Sequence, residues 1–133
     1  MKAADSSLVI AAFASWHESH DVARRAIDAG VRLVEHCTLE TLSVLTRLPP
    51  PHRASGELVR DFLRERFPKP FLRLSAKAYR RFLFELPERG IAGGAVYDAL
   101  IAATAAEHGV ELLSCDRRAA SNYERYGIRF ALV

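Results

Sequence analysis

The chain has 133 residues and half of them are apolar, which is enough to bury one hydrophobic core, so we expect one domain over residues 1–133. Cys37 and Cys115 lie far apart and form neither a C-x-x-C redox motif nor the paired spacing of a zinc site. This cysteine usage favours a reduced, cytoplasmic protein. No signal peptide is recognisable, and the longest apolar stretch, 99–106, is far shorter than the roughly 20 residues that cross a membrane. We therefore expect a soluble protein that does not span a membrane.

The net charge of +3 is modest, but positive charge is concentrated in one part of the chain. Residues 53–89 contain ten Lys or Arg and only five Asp or Glu, so this segment alone carries +5. A local basic excess of this kind is expected of a protein that binds a phosphate backbone. Solvated helix faces would produce the same pattern, and the composition does not decide between the two.

Apolar spacing, caps and helix-breaking residues predict alternating strands and helices in the first half of the chain. In order, they are a strand over 2–5, a helix from Ser6 or Ser7 to Ala14 with a hydroxyl cap, a helix over 16–29 ended by Gly30, a strand over 31–36, and a helix capped by Thr38 that runs to about Leu48.

Three consecutive prolines, Pro49 to Pro51, end that helix because proline lacks the amide proton that a helix needs. The second half then predicts helices over 55–67 and 75–86 with a short strand over 71–74, a glycine turn over 90–94, a helix over 95–108, a strand over 110–115, a helix over 116–126 and a last strand over 128–133. Regular alternation of this kind implies parallel strand pairing. The fold class is α/β, and we expect a three-layer α/β/α sandwich with a mainly parallel central sheet.

Three carboxylates follow predicted strands. Asp5 and Asp116 each close an apolar strand and open a helix, and Glu40 lies in the first turn predicted after the second strand. In a parallel sheet these positions share the carboxyl edge, where ligand crevices form. Each also has a simpler explanation, because acidic residues cap helices and interact favourably with the helix dipole.

Asp98 is harder to explain as a cap, because its helix is apolar nearly all round and is therefore expected to be buried. A buried carboxylate must meet a cation, form an ion pair, here with Arg117 or Arg118, or remain protonated. Four carboxylates in one crevice would repel one another unless a divalent cation lies among them. All-oxygen ligands favour Mg²⁺ or Mn²⁺ over zinc.

Four segments, taken with their order and spacing, resemble the PIN-domain nucleases, and specifically the VapC toxins of bacterial toxin–antitoxin pairs. These segments are 4–9, 38–40, 93–102 and 112–118, and the resemblance covers essentially the whole chain. It implies that Asp5 and Asp98 are the principal metal ligands and that Glu40 and Asp116 complete the site, directly or through water. It also implies that Ser7 and Ser114 orient the cluster. Ser114 stands where the family often has threonine, and the substitution keeps the hydroxyl.

The resemblance further implies a Mg²⁺-dependent endoribonuclease, with Mn²⁺ as a substitute, in which a metal-activated water cleaves an RNA phosphodiester. It implies a homodimer and a cognate VapB-type antitoxin as partners. The sequence offers no nucleophile elbow, P-loop or H-E-x-x-H helix, in agreement with catalysis without a side-chain nucleophile. Candidate contacts to the RNA backbone are Arg60, Arg64, Lys69 and Arg117.

Two other functions compete with this one. An aspartyl-phosphate phosphatase would normally carry a second Asp two residues after the first, where this chain has Ser7. A catalytically silent PIN-like module that binds RNA or protein would not need all four acids. His17 and His20 are expected to have surface or packing roles, and Trp16 is expected in the core or in a dimer interface.

Overall fold

A computed structural model describes all residues from 1 to 133 and contains one four-stranded sheet. Its strands are β1 (Lys2–Ala4), β2 (Arg32–Leu33), β3 (Glu111–Ser114) and β4 (Phe130–Leu132). Every pair is parallel, and the order across the sheet is β2-β1-β3-β4. Helices flank this sheet in the expected three-layer α/β/α sandwich. None of the helices has the length and apolarity needed to cross a membrane.

Seven helices connect the strands: α1 (Ser6–Phe13), α2 (His20–Asp28), α3 (Glu35–Thr46), α4 (Gly56–Arg66), α5 (Ala76–Glu85), α6 (Ala95–Glu107) and α7 (Arg117–Tyr126). Ser55 and Ser75 cap α4 and α5, and each serine hydroxyl accepts a hydrogen bond from an amide in the first turn. A cap of this kind stabilises a helix by about 1 kcal/mol. Gly127 ends α7 at φ +86°, a left-handed conformation that glycine adopts without strain.

The strand order determines where a crevice forms. From β1 the chain crosses first to β2 on one side and later to β3 on the other, so β1 and β3 are neighbours at a topological switch point. Ala4 pairs with Leu113, and the Asp5 amide donates to the Leu113 carbonyl at 3.1 Å. The residues that follow β1 and β3 therefore lie side by side at the carboxyl edge, where open α/β sheets bind ligands.

The predicted start of α1 at Ser6 is confirmed, but its cap is the Asp5 carboxylate, as the simpler explanation of Asp5 allowed, and not a serine hydroxyl. Two other predicted helix starts were wrong. The second helix begins at His20 and not at residue 16, and His20 Nδ1 bonds the Ala11 carbonyl at 2.9 Å across the intervening turn. Thr38 is inside α3, which begins at Glu35, and the Thr38 hydroxyl donates back to the Glu35 carbonyl.

Two smaller expectations also changed. The segment 71–74 forms only a single bridge, between Val34 and Leu72, and not a strand. Trp16 is 49% exposed and stacks near His52, so it does not belong to the core, while its role in a dimer interface stays a prediction. His17 Nδ1 accepts a hydrogen bond from the Ser19 amide at 3.0 Å, and the surface or packing role expected of His17 and His20 stays a prediction.

Candidate active site

Asp5 follows β1 at the carboxyl edge of the sheet and is only 3% exposed. One carboxylate oxygen accepts the Ser7 hydroxyl at 2.6 Å and the Leu8 amide at 3.2 Å, and the other accepts the Tyr123 hydroxyl at 2.9 Å. Burial raises the pKa of Asp5, although the hydroxyls of Ser114, Ser7 and Tyr123 and the Leu8 amide lower it in part. Asp5 therefore caps α1 and is bonded to α7 at the same time.

Two serines join the ends of β1 and β3. The Ser7 and Ser114 hydroxyls lie 3.2 Å apart, and Ser7 Oγ accepts the Cys115 amide at 2.8 Å. Ser114 Oγ accepts the Asp116 amide at 3.0 Å, and Ser114 is fully buried. The two hydroxyls thus link the backbone that follows β1 to the backbone that follows β3.

Asp98 lies in the first turn of α6 and is partly buried, not enclosed as the apolar helix pattern predicted. Asp98 remains partly exposed because it lies near the N-terminal end of α6, whose buried residues begin only at Ala99. Asn122 donates to Asp98 Oδ2 at 2.8 Å, and no ion pair joins Asp98 to Arg117 or Arg118. Burial raises the pKa of Asp98, and the carboxylates of Asp116 and Glu40 raise it further.

Glu40 and Asp116 are the other two acidic residues of this group. We call Asp5, Glu40, Asp98 and Asp116 together the acidic edge. Glu40 belongs to the second turn of α3 and not to the first, because the helix begins at Glu35. Its carboxylate lies 3.8 Å from His36 Nε2, one turn earlier on the same helix face. Asp116 caps α7 by accepting the Arg118 amide at 2.9 Å, and it remains half-buried.

Helix α7 carries two site residues that sequence reasoning missed. Tyr123 is almost fully buried and bonds Asp5, while the adjacent Asn122 bonds Asp98. One helix therefore holds both central carboxylates. Ala119 and Tyr123 are spaced one turn apart on the buried face of α7, and a phenol at such a position needs a partner for its hydroxyl. The sequence contains this signal but does not say that the partner is Asp5.

The donor set fits a hard divalent cation. None of the six ion pairs in the structure includes Asp5 or Asp98, and all the hydrogen bonds these two carboxylates accept come from neutral donors. Both carboxylates are turned toward these donors. No three acidic, histidine or cysteine side chains are arranged so that they could hold one metal ion. Oxygen donors carrying uncompensated negative charge are the ligands that Mg²⁺ and Mn²⁺ prefer.

The basic candidates divide into two groups. Arg60, Arg64 and Lys69 are exposed and line one cavity of about 600 Å³, together with Thr38 and Leu39 of the helix that carries Glu40. Arg117 is exposed at the start of α7 and makes no hydrogen bond or ion pair through its side chain. The first group therefore forms a positive surface that adjoins α3.

The chain matches the family model described as PIN domain over residues 3–125. It is 45% identical over 133 residues to Ribonuclease VapC40 of Mycobacterium tuberculosis strain H37Rv, covering 100% of this chain and 99% of that protein. It is 39% identical over 132 residues to Ribonuclease VapC27 of the same strain, covering 98% of this chain and 96% of that protein.

Two solved structures share the fold at low sequence identity. VapBC2 from Rickettsia felis, bound to a DNA fragment from its promoter, aligns with a TM-score of 0.64 and 14% identity over 99% of this chain and 98% of that one. FitAcB from Neisseria gonorrhoeae aligns with a TM-score of 0.68 and 15% identity over 98% of this chain and 96% of that one. Together with the family match and the full-length relatives, these findings establish that the chain belongs to the PIN-domain family and, within it, to the VapC proteins.

Proposed function

We propose that this chain is the ribonuclease toxin of a type II toxin–antitoxin pair and that it hydrolyses RNA phosphodiester bonds at the acidic edge of its sheet. Two relatives that match over nearly their whole length are named ribonucleases, which supports an RNA-cleaving hydrolase. The proposal treats residues 1–133 as one catalytic domain that acts in the cytoplasm.

One observation carries the chemistry: Asp5 and Asp98 are both held by helix α7 through neutral donors, and no cationic side chain pairs with either carboxylate. Asp116 and Glu40 raise the pKa of Asp98, so their carboxylates act on it through space. Asp5 is held against α7 by Tyr123, next to the Asn122 that holds Asp98. Keeping uncompensated carboxylates out of water is costly, and a bound cation would remove most of that cost.

We assign Asp5 and Asp98 as the principal ligands of Mg²⁺, for which Mn²⁺ would substitute, with Glu40 and Asp116 completing the site. A divalent ion held by these residues would supply Lewis-acid chemistry, namely activation of a water molecule and compensation of negative charge on the phosphate. Ser7 and Tyr123 keep the Asp5 carboxylate in one orientation, and Asn122 does the same for Asp98. Ser114 fixes the start of α7 through the Asp116 amide.

No side chain near the site is available as a nucleophile. The Ser7 hydroxyl donates to Asp5 and accepts the Cys115 amide, so its hydrogen-bonding capacity is occupied. Burial raises the pKa of Cys115 to about 11, which keeps its thiol protonated near neutral pH. Burial also raises the pKa of Tyr123 well above its ordinary value. Attack by water agrees with these properties.

An aspartyl-phosphate mechanism agrees less well with the environment of Asp5. Ser7, whose hydroxyl donates to Asp5 at 2.6 Å, occupies the position where that class carries its second aspartate. The partners we propose are a VapB-type antitoxin, the RNA substrate and a second copy of the chain in a homodimer.

The proposal is tested by incubating the purified full chain with single-stranded RNA. Cleavage is expected in Mg²⁺ or Mn²⁺, is expected to stop in EDTA, and is expected to fall roughly a thousandfold in Asp98→Asn, since several kcal/mol of charge stabilisation would be lost. The control variant is Asp21→Asn, which neutralises an exposed carboxylate on α2 and should cleave normally. A chain that binds RNA but never cleaves it would instead be a silent binding module.

A further inference from the structure

Two stacked aromatic rings border the acidic edge. The rings of His36 and Tyr97 lie with their centroids 5.3 Å apart and their planes within 3° of parallel. Neither residue belongs to the carboxylate set or to the orienting serines. Stacked rings at this separation are favourable, and they constrain each other's orientation.

The pair connects the two helices that carry Glu40 and Asp98. His36 lies on α3 one turn before Glu40, with Nε2 3.8 Å from the Glu40 carboxylate. Tyr97 immediately precedes Asp98 in the first turn of α6. The stacked rings therefore join the helix that carries Glu40 to the helix that carries Asp98.

One face of the Tyr97 ring is available to solvent. Its other face packs against His36, yet the residue remains 54% exposed. More than half of the surface of Tyr97 is therefore not used in packing within this chain. Exposed and held parallel to a second ring, the Tyr97 ring presents a flat apolar surface beside the carboxylates.

We propose that Tyr97, backed by His36, is a stacking platform for one unpaired base of the RNA that flanks the cleaved bond. This inference rests on the proposed ribonuclease function and adds to it a residue that binds substrate. Single-stranded RNA is recognised largely by stacking of exposed bases on aromatic side chains. A base stacked on Tyr97 would hold the RNA strand at the start of the helix that carries Asp98.

The His36 ring strengthens base stacking on Tyr97 by restricting the motion of the Tyr97 side chain. An isolated exposed tyrosine loses side-chain freedom when a base stacks on it, and that loss weakens binding. Contact with His36 restricts the ring before RNA arrives, so less freedom is lost on binding. Any of the four bases has a flat face, and the platform therefore contributes affinity and position more than sequence preference.

The test uses a single-stranded RNA oligonucleotide that spans a bond cleaved by the wild-type chain, and a series in which each flanking base in turn is replaced by an abasic site. One abasic position is expected to raise the KM of the wild type roughly tenfold with little change in kcat, which is the loss of one stacked base. Tyr97→Leu is expected to raise the KM for the intact RNA by a similar factor and to abolish the penalty at that position. Tyr97→Phe should retain both the wild-type KM for the intact RNA and the penalty at the abasic position.

The matched control is Phe84→Leu, which removes an aromatic ring of similar exposure, 59%, that lies under Arg80 on α5. It should leave the KM and the abasic penalty unchanged. If Tyr97→Leu keeps the wild-type abasic penalty, the platform is overturned while the ribonuclease remains, even if that variant binds a protein partner less tightly. A wild-type chain that acts on no RNA overturns both proposals together.

Discussion

The acidic edge and the basic segment 53–89 use charge in opposite ways. At the acidic edge, Asp5 is removed from water and held by neutral hydroxyl and amide donors. In the basic segment, Arg60, Arg64 and Lys69 stay exposed around a cavity next to α3. Buried charge without a partner lowers stability, whereas exposed charge costs little.

The comparison indicates that the carboxylates of the acidic edge lower the stability of the fold and suit a positively charged ligand. The raised pKa values of Asp5 and Asp98 indicate that their ionised forms are unfavourable until something positive approaches. The basic segment needs no such compensation, because water solvates it. We therefore expect substitutions at the acidic edge to change cleavage and stability, and substitutions in the basic segment to change RNA binding by a smaller factor.

Of the substitutions that test this contrast, we expect Tyr123→Phe to have the largest effect on RNA cleavage. The change preserves the buried ring but removes the donor to Asp5 Oδ2, so the pKa of Asp5 should rise further. RNA cleavage is expected to fall about ten- to a hundredfold, as when the group that orients a metal ligand is lost. Because Asp5 must be ionised to act, the acidic limb of the pH–rate profile should move to higher pH. Tyr126→Phe, on the same helix but with no hydrogen bond from its hydroxyl, should leave the profile where it is.

A smaller effect is expected when charge is removed from the basic surface. Arg60→Gln combined with Arg64→Gln should weaken RNA binding roughly tenfold at low salt. The slope of log affinity against log salt should become shallower by about 1.4, because single strands lose about 0.7 per phosphate contact. The double variant Arg80→Gln/Arg81→Gln removes the same charge from α5 and serves as the comparison. Equal losses in both double variants would show that only net charge matters.

The smallest effect, a gain in stability, is expected from Asp98→Asn without divalent cations. Since the pKa of Asp98 is raised above its ordinary value of 3.8, the ionised side chain is a liability in the fold, and its removal should raise the Tm by roughly 2–5 °C at neutral pH. As pH falls through the raised pKa, the wild type becomes protonated and the difference should shrink. Below the ordinary value it should vanish.

Asp61→Asn, at an exposed ion pair with Arg60, is the control for these melts and should not raise the Tm. A lower Tm for Asp98→Asn would mean that Asp98 stabilises the fold as one half of an ion pair, and the contrast between the two regions would fail.

Much of the fold follows from local patterns. Alternating apolar segments predicted the parallel sheet, and amphipathic spacing predicted the ends of α4 and α5 to within a residue. The starts of α2 and α3 were predicted less well, because they depend on contacts between elements. His20, for example, is held by the carbonyl of Ala11 in the preceding helix.

The site shows the same division. The sequence by itself determined that Asp5 and Asp116 follow strands, that the chain has the motifs of the family, and that Ser7 and Ser114 supply hydroxyls nearby, because each of these depends on local periodicity and spacing. The tertiary structure alone decided that α7 holds Asp5 through Tyr123 and Asp98 through Asn122, and that His36 stacks on Tyr97. These contacts join residues on different elements, and only the packing of α3, α6 and α7 around the sheet edge brings them together.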